Sequence, residues 1–113
     1  MEISAHIRAQ AQDLLAFIDA SPSPWHAVDA VAQRLRQSGF VALREDERWQ
    51  LTAGGRYYVV RGGSSIIAFV AGGESLAERG FRLVGAHTDS PGLRIKPKPL
   101  QAGDGLLRLG VEV

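Results

Sequence analysis

Apolar residues in the first forty positions recur with the period of amphipathic α-helices. One face of residues 4–19 is apolar, through Ile7, Ala11, Leu14, Leu15 and Ile18, and Ser4 is placed to cap its N-terminus. The Ser-Pro-Ser-Pro segment at 21–24 ends this helix. Ser23 and Pro24 then suit the cap and first turn of a second helix, which Gly39 ends in the left-handed region. The pattern predicts two amphipathic helices.

From Phe40 onward the pattern changes to short apolar runs separated by glycine-containing turns. Runs at 56–61 and 65–70 flank Gly62 and Gly63, which is typical of a β-hairpin. Further strands are predicted at 40–43, 81–84, 93–97 and 106–113, with a charged, solvated loop at 44–48 and another loop at 71–80. Two helices followed by strands indicate an α/β fold with α+β layers.

The predicted strand at 81–84 leads into the polar segment GAHTDSP at 85–91, which carries the candidate chemistry. Strands of open α/β sheets present ligand groups at their carboxyl ends. His87 and Asp89 are two residues apart, so an extended backbone would place both side chains on one face. An imidazole beside a carboxylate suits a metal ligand and its orienting acid. By spacing alone, a plain turn formed by Asp89 and Ser90 ahead of Pro91 is equally open.

Composition narrows the function classes. The chain has 113 residues, no cysteine and a formal charge of +1, which suits one small domain without disulfides or thiolate metal ligands. So weak a charge gives no reason to expect a nucleic-acid or membrane partner. The N-terminus lacks the pattern of a signal peptide, and the longest apolar run, 66–71, is far below the roughly 20 residues of a spanning helix. We therefore expect a soluble, cytoplasmic protein.

Several separated blocks resemble one family of enzymes. Residues 85–97 are similar to the first metal-binding motif of the aspartyl aminopeptidases, which are cytosolic, zinc-dependent exopeptidases that remove acidic N-terminal residues. Residues 21–27, 54–61, 64–69 and 109–113 resemble further blocks of that family in the same order. The resemblance implies a metallo-aminopeptidase acting on peptides.

The same resemblance assigns roles to individual residues. His87 would bind one metal ion of a dinuclear site, and Asp89 would be the catalytic acid that orients this imidazole. Two zinc ions are implied for a complete site, with cobalt or manganese as other metals that would fit. His26 also matches the family pattern, but a histidine at a helix start beside Trp25 is expected to be structural.

The resemblance also implies that much of the enzyme lies elsewhere. Residues 1–113 would be the N-terminal part of the catalytic domain, with the other metal ligands and the dimerisation domain absent. The complete protein would be a homo-oligomer, and the isolated chain would be inactive. A different class of function stays open: a non-catalytic interaction module that pairs through the exposed edge of its last strand.

Overall fold

A computed structural model describes residues 4–73 and 80–113 of the chain as two helices followed by five strands. The helices are α1 (Ala5–Asp19) and α2 (Pro24–Gln37), and the strands are β1 (Val41–Leu43), β2 (Arg56–Arg61), β3 (Ser65–Val70), β4 (Arg94–Gly103) and β5 (Leu106–Glu112). The predicted order of helices before strands, and the α+β arrangement, are confirmed. Part of the loop predicted at 71–80 falls on residues 74–79, which lie outside the described residues.

Both helices begin at their predicted capping residues, α1 ends ahead of the Ser-Pro-Ser-Pro segment, and α2 ends before Gly39. The Ser4 hydroxyl accepts a hydrogen bond from the Ile7 N–H at 3.3 Å. Ser23 caps α2 in the same way, with Pro24 in the first turn, where no N–H is needed. Gly39 follows the end of α2 with φ +79°, a left-handed conformation that glycine adopts without steric cost. Local sequence therefore sets the bounds of both helices.

The first sheet has the order β1-β2-β3, with β1 parallel and β3 antiparallel to the central β2. The hairpin predicted between β2 and β3 is confirmed, and its turn uses positive φ at Gly62 and Gly63. Helix α2 packs against the sheet, and the Tyr58 hydroxyl accepts a hydrogen bond from Arg36 of this helix at 3.0 Å. Among residues 4–73 and 80–113, the buried side chains come from α2 and β2: Ala27, Val28, Ala32, Tyr57, Tyr58 and Val59.

Helix α1 contacts α2 through an exposed ion pair and a cation–π contact. The Arg34 guanidinium donates to both carboxylate oxygens of Asp13, at 2.8 and 2.9 Å, and lies 5.1 Å from the centre of the Phe17 ring. Among the described residues α1 buries none of its side chains, and the apolar face predicted from the sequence is more than half exposed at Leu14 and Leu15. An exposed ion pair of this kind contributes at most about 1 kcal/mol, so α1 is the less firmly attached of the two helices.

The strand predicted at 81–84 is wrong, because these residues belong to no strand in the described part of the chain. The side chains of Phe81, Leu83 and Val84 are 80%, 87% and 100% exposed. A strand requires a hydrogen-bonding neighbour, and within residues 4–73 and 80–113 this segment has none. The apolar pattern alone could not supply the hydrogen-bonding partner that a strand needs.

Strands β4 and β5 form a separate two-stranded ribbon, turned by Asp104 and Gly105 at φ +50° and +74°. Strand β4 runs to Gly103, beyond the predicted end at 97, and its register with β5 shifts between Ile95 and Leu100. Pro97 and Pro99 lie in this interval and lack the N–H that a regular ladder needs. Neither helix of the described chain has the length and apolar character required to cross a bilayer.

Candidate metal centre

The segment that carries the motif, residues 80–93, connects the first sheet to β4 without regular secondary structure. It brings His87 and Asp89 together, although not through a strand. Imidazole Nδ1 of His87 lies 3.3 Å from Oδ1 of Asp89 and 2.7 Å from the Asp89 main-chain carbonyl oxygen. The pairing predicted from the His-X-Asp spacing is therefore present in the fold as a direct contact.

This contact determines which imidazole nitrogen faces outward as a lone-pair donor. Both oxygens beside Nδ1 are acceptors, so Nδ1 carries the proton and donates it to them. In the neutral ring the lone pair then resides on Nε2, which is the form that binds a transition metal. The two side chains are 81% and 79% exposed, which leaves Nε2 accessible to an ion or to another segment of protein.

The donor set fits one corner of a zinc site. A catalytic zinc ion is held by about three protein ligands. No group of three or more histidine, aspartate or glutamate side chains suitable for a metal occurs among residues 4–73 and 80–113. His6 lies on α1, and His26 lies in the first turn of α2 with its Nδ1 2.7 Å from the Ser23 hydroxyl. A metal ion bound by His87 would therefore need further ligands from beyond the described residues.

The acidic loop between β1 and β2 is engaged with arginine side chains. Glu45 accepts a hydrogen bond from Arg61 at 2.8 Å, which raises the pKa of that guanidinium. The hydrogen bond from Arg44 lowers the pKa of the Asp46 carboxyl, so this carboxylate stays ionised to a lower pH than usual. All these groups are at the surface. Their pairing agrees with the solvated loop predicted from the sequence and provides no free carboxylate cluster for a metal.

Thr88 is a residue near the site that the sequence patterns did not single out. Its hydroxyl donates a hydrogen bond of 2.9 Å to the main-chain carbonyl of Ser64, in the turn between β2 and β3. The two residues are 24 positions apart, and neither local period nor turn chemistry links them. Only the position of Thr88 between two candidate site residues could have drawn attention to it.

Comparison with known proteins decides the family. A family model described as aminopeptidase I zinc metalloprotease (M18) matches residues 17–113, which is most of the chain and includes the His87 segment. The chain belongs to the M18 aminopeptidase family. The resemblance noted in the sequence is therefore confirmed at the level of the family.

Curated relatives of this M18 chain include bacterial proteins. It is 56% identical over 102 residues to the probable M18 family aminopeptidase 2 of Stutzerimonas stutzeri and 55% identical over 102 residues to that of Pseudomonas aeruginosa strain UCBPP-PA14. Each match covers 90% of this chain and 24% of the relative. The chain thus spans about a quarter of the length of these relatives.

Solved structures of M18 proteins have the same fold in the matching region. A cryo-EM structure of the Ape4 and Nbr1 complex is similar over 99% of this chain and 22% of its own, with 40% identity and a TM-score of 0.79. The S. cerevisiae mApe1 dodecamer matches over 89% of this chain and 24% of its own, with 31% identity and a TM-score of 0.73. The two helices and the mixed sheets are therefore those of an M18 protein.

Proposed function

We propose that this chain is the N-terminal part of the catalytic domain of a zinc-dependent aminopeptidase, in which His87 binds one metal ion of a dinuclear site through Nε2. The observation that carries the proposal is the hydrogen bonding of Nδ1 to Asp89, in a chain that belongs to a family of zinc metalloproteases. In this role Asp89 would orient the imidazole and favour the tautomer with the proton on Nδ1. The remaining ligands would come from sequence beyond the described residues.

The chemistry that a zinc pair supplies in such a site is activation of water and polarisation of the scissile carbonyl. The contribution of this chain would be to hold the His87 imidazole in a fixed position relative to the metal ion. The Asp89 carboxylate would also offset part of the positive charge of a metal ion bound to His87. A histidine and a carboxylate do not distinguish zinc from cobalt or manganese, so zinc is chosen on the family description.

The substrate we propose is a peptide with an acidic N-terminal residue, Asp or Glu. Support comes from the similarity of residues 85–97 to the first metal-binding motif of the aspartyl aminopeptidases. We propose further that the complete protein forms a homo-oligomer, as the dodecameric mApe1 structure suggests for a relative. The cytoplasmic location and the lack of nucleic-acid and membrane partners stay predictions from the sequence.

A chimaera tests the activity with this chain's own residues. In it, this chain replaces the matching segment of the Stutzerimonas stutzeri relative, which supplies the rest of the protein. We expect zinc-dependent release of N-terminal Asp or Glu from short peptides, at least about 10-fold faster than release of N-terminal Leu, because each tenfold preference corresponds to about 1.4 kcal/mol of transition-state binding. Amino-acid analysis of the products measures both rates. A chimaera that folds, holds zinc and cleaves no peptide would contradict the proposal.

The isolated chain is expected to bind zinc weakly and to hydrolyse nothing. One imidazole without other ligands does not hold a catalytic ion, so calorimetric titration should give a dissociation constant weaker than about 100 μM, which corresponds to a binding free energy of about 5.5 kcal/mol. The matched control is His87→Ala. Micromolar or tighter binding that this substitution abolishes would show that the chain contains a complete site.

One observation favours a second candidate, the interaction module. Within the described residues β4 and β5 pair only with each other, and Leu100, Leu107 and Leu109 on this ribbon are 59–71% exposed. Unpaired strand edges with apolar side chains are templates for pairing with another chain. Sedimentation velocity separates the candidates, because a stable, defined oligomer of the isolated chain would favour the module over an incomplete enzyme.

A further inference from the structure

Among the described residues, one side-chain hydrogen bond joins the candidate metal centre to the body of the fold. Thr88 donates to the Ser64 carbonyl at 2.9 Å, and within residues 4–73 and 80–113 this is the only hydrogen bond between the segment 80–93 and the helix–sheet unit. The neighbours of Thr88 do not take part in that anchoring, since His87 and Asp89 are 81% and 79% exposed. Thr88 itself is half-buried.

The acceptor of this hydrogen bond lies in a well-defined turn. Gly62 and Gly63 have φ of +58° and +71°, and the strands on either side are in register from Arg61–Ser65 onward. The turn also packs against α2, because a Cβ built on Gly63 would lie 3.1 Å from Cδ1 of Trp25. The Ser64 carbonyl therefore lies in a hairpin turn whose neighbouring Gly63 is close to Trp25 of α2.

We infer that Thr88 is a positioning residue that sets the place of His87, by tying the backbone between His87 and Asp89 to the β2–β3 turn. The inference rests on the proposed function, in which His87 is a metal ligand. The alternation of side chains carries it: Thr88 points to the body, while the residues before and after it point to solvent. A metal ligand whose side chain is largely exposed needs its backbone held, because outer-shell contacts orient the atoms that bind the metal.

Three substitutions in the chimaera separate positioning from simple stability. Thr88→Val keeps the shape of the side chain and removes the hydroxyl, so we expect zinc affinity and kcat to fall by about 10- to 100-fold, the range for outer-shell partners of metal ligands. KM should stay within about 2-fold, because no substrate-binding atom is changed. Thr88→Ser retains the hydroxyl and should restore both quantities to within about 3-fold of the parent. Ser64→Ala should behave as the parent, since the acceptor is a main-chain carbonyl.

The readouts are zinc affinity in metal-buffered solution, kcat and KM with an N-terminal Asp peptide, and the midpoint of thermal unfolding. A general loss of stability would lower the midpoint of thermal unfolding together with zinc affinity and kcat. Loss of positioning would lower zinc affinity and kcat while the midpoint changes little. If Thr88→Val is insoluble, Thr88→Ala provides the same test without a methyl group facing the Ser64 carbonyl.

The outcomes distinguish this inference from the proposed function. If His87→Ala leaves the activity of the chimaera intact, the function proposed for His87 is itself wrong. If His87→Ala is inactive but the Thr88 variants without a hydroxyl keep the parent's zinc affinity and kcat, the positioning role is overturned and the ligand role stands. Reduced zinc affinity and kcat that Thr88→Ser restores would establish the positioning role.

Discussion

Replacing His87 with alanine in the chimaera is expected to lower kcat/KM for an N-terminal Asp peptide by more than about 100-fold, beyond the range for outer-shell partners of a metal site. The physical reason is the ligand count: a dinuclear site that loses an imidazole holds one ion with too few donors. Zinc content should fall together with activity. Metal analysis after gel filtration and initial-rate kinetics measure the two effects on the same sample.

The matched control for this prediction is His6→Ala. His6 is an exposed histidine on α1 with no predicted metal role, so its removal should leave zinc content and kcat/KM within about 2-fold of the parent. Asp89→Asn keeps a hydrogen-bond acceptor but removes the charge. Its zinc content and kcat/KM should lie between those of His87→Ala and His6→Ala. Full turnover by the His87→Ala variant would refute the ligand assignment, whatever the other variants do.

Val28→Asp is expected to abolish cooperative folding of the chain. The Val28 side chain is 2% exposed at the contact between α2 and the sheet. No buried cation in the described residues lies there to pair with a carboxylate, and an uncompensated buried charge costs about 3–5 kcal/mol. The described part of the chain has only six buried side chains, and so small a core leaves little stability to absorb that loss. Far-UV circular dichroism during a urea titration measures it.

The neighbouring Asp29 provides the control on the same helix. Its carboxylate is exposed and accepts a hydrogen bond from Gln33, so Asp29→Asn should change the free energy of unfolding by no more than about 0.5 kcal/mol. Val28→Ala should cost about 2 kcal/mol, as expected for removing buried methyl groups without adding charge. An unchanged urea midpoint in Val28→Asp would mean that α2 does not pack on the sheet as described.

The helices and the first hairpin could be predicted because their signals are local. Ser4, Ser23 and Pro24 satisfy or remove N–H groups within one turn of themselves, and Gly39 and Gly62 adopt conformations available to glycine. These effects depend on residues four or fewer positions away. The bounds of α1, α2, β2 and β3 therefore followed from the amino-acid pattern.

The strand predicted at 81–84 failed for the opposite reason. An apolar extended segment becomes a strand only when a neighbour accepts and donates its hydrogen bonds, and that neighbour is set by the tertiary structure. Within the described residues Val84 is fully exposed and unpaired. The register shift at the prolines of β4 could not be predicted either, because it depends on which residues of β5 lie opposite them.

For the candidate metal centre, the sequence determined the identity of the residues and the tertiary structure determined their geometry. The motif at 85–91 and its neighbouring blocks selected His87 and Asp89 and named the family, because such chemistry requires those side chains in that order. Only the fold placed Asp89 against Nδ1, which leaves Nε2 for a metal, and only the fold joined Thr88 to Ser64, 24 residues away. Contacts between distant positions depend on how elements pack, and no local pattern encodes them.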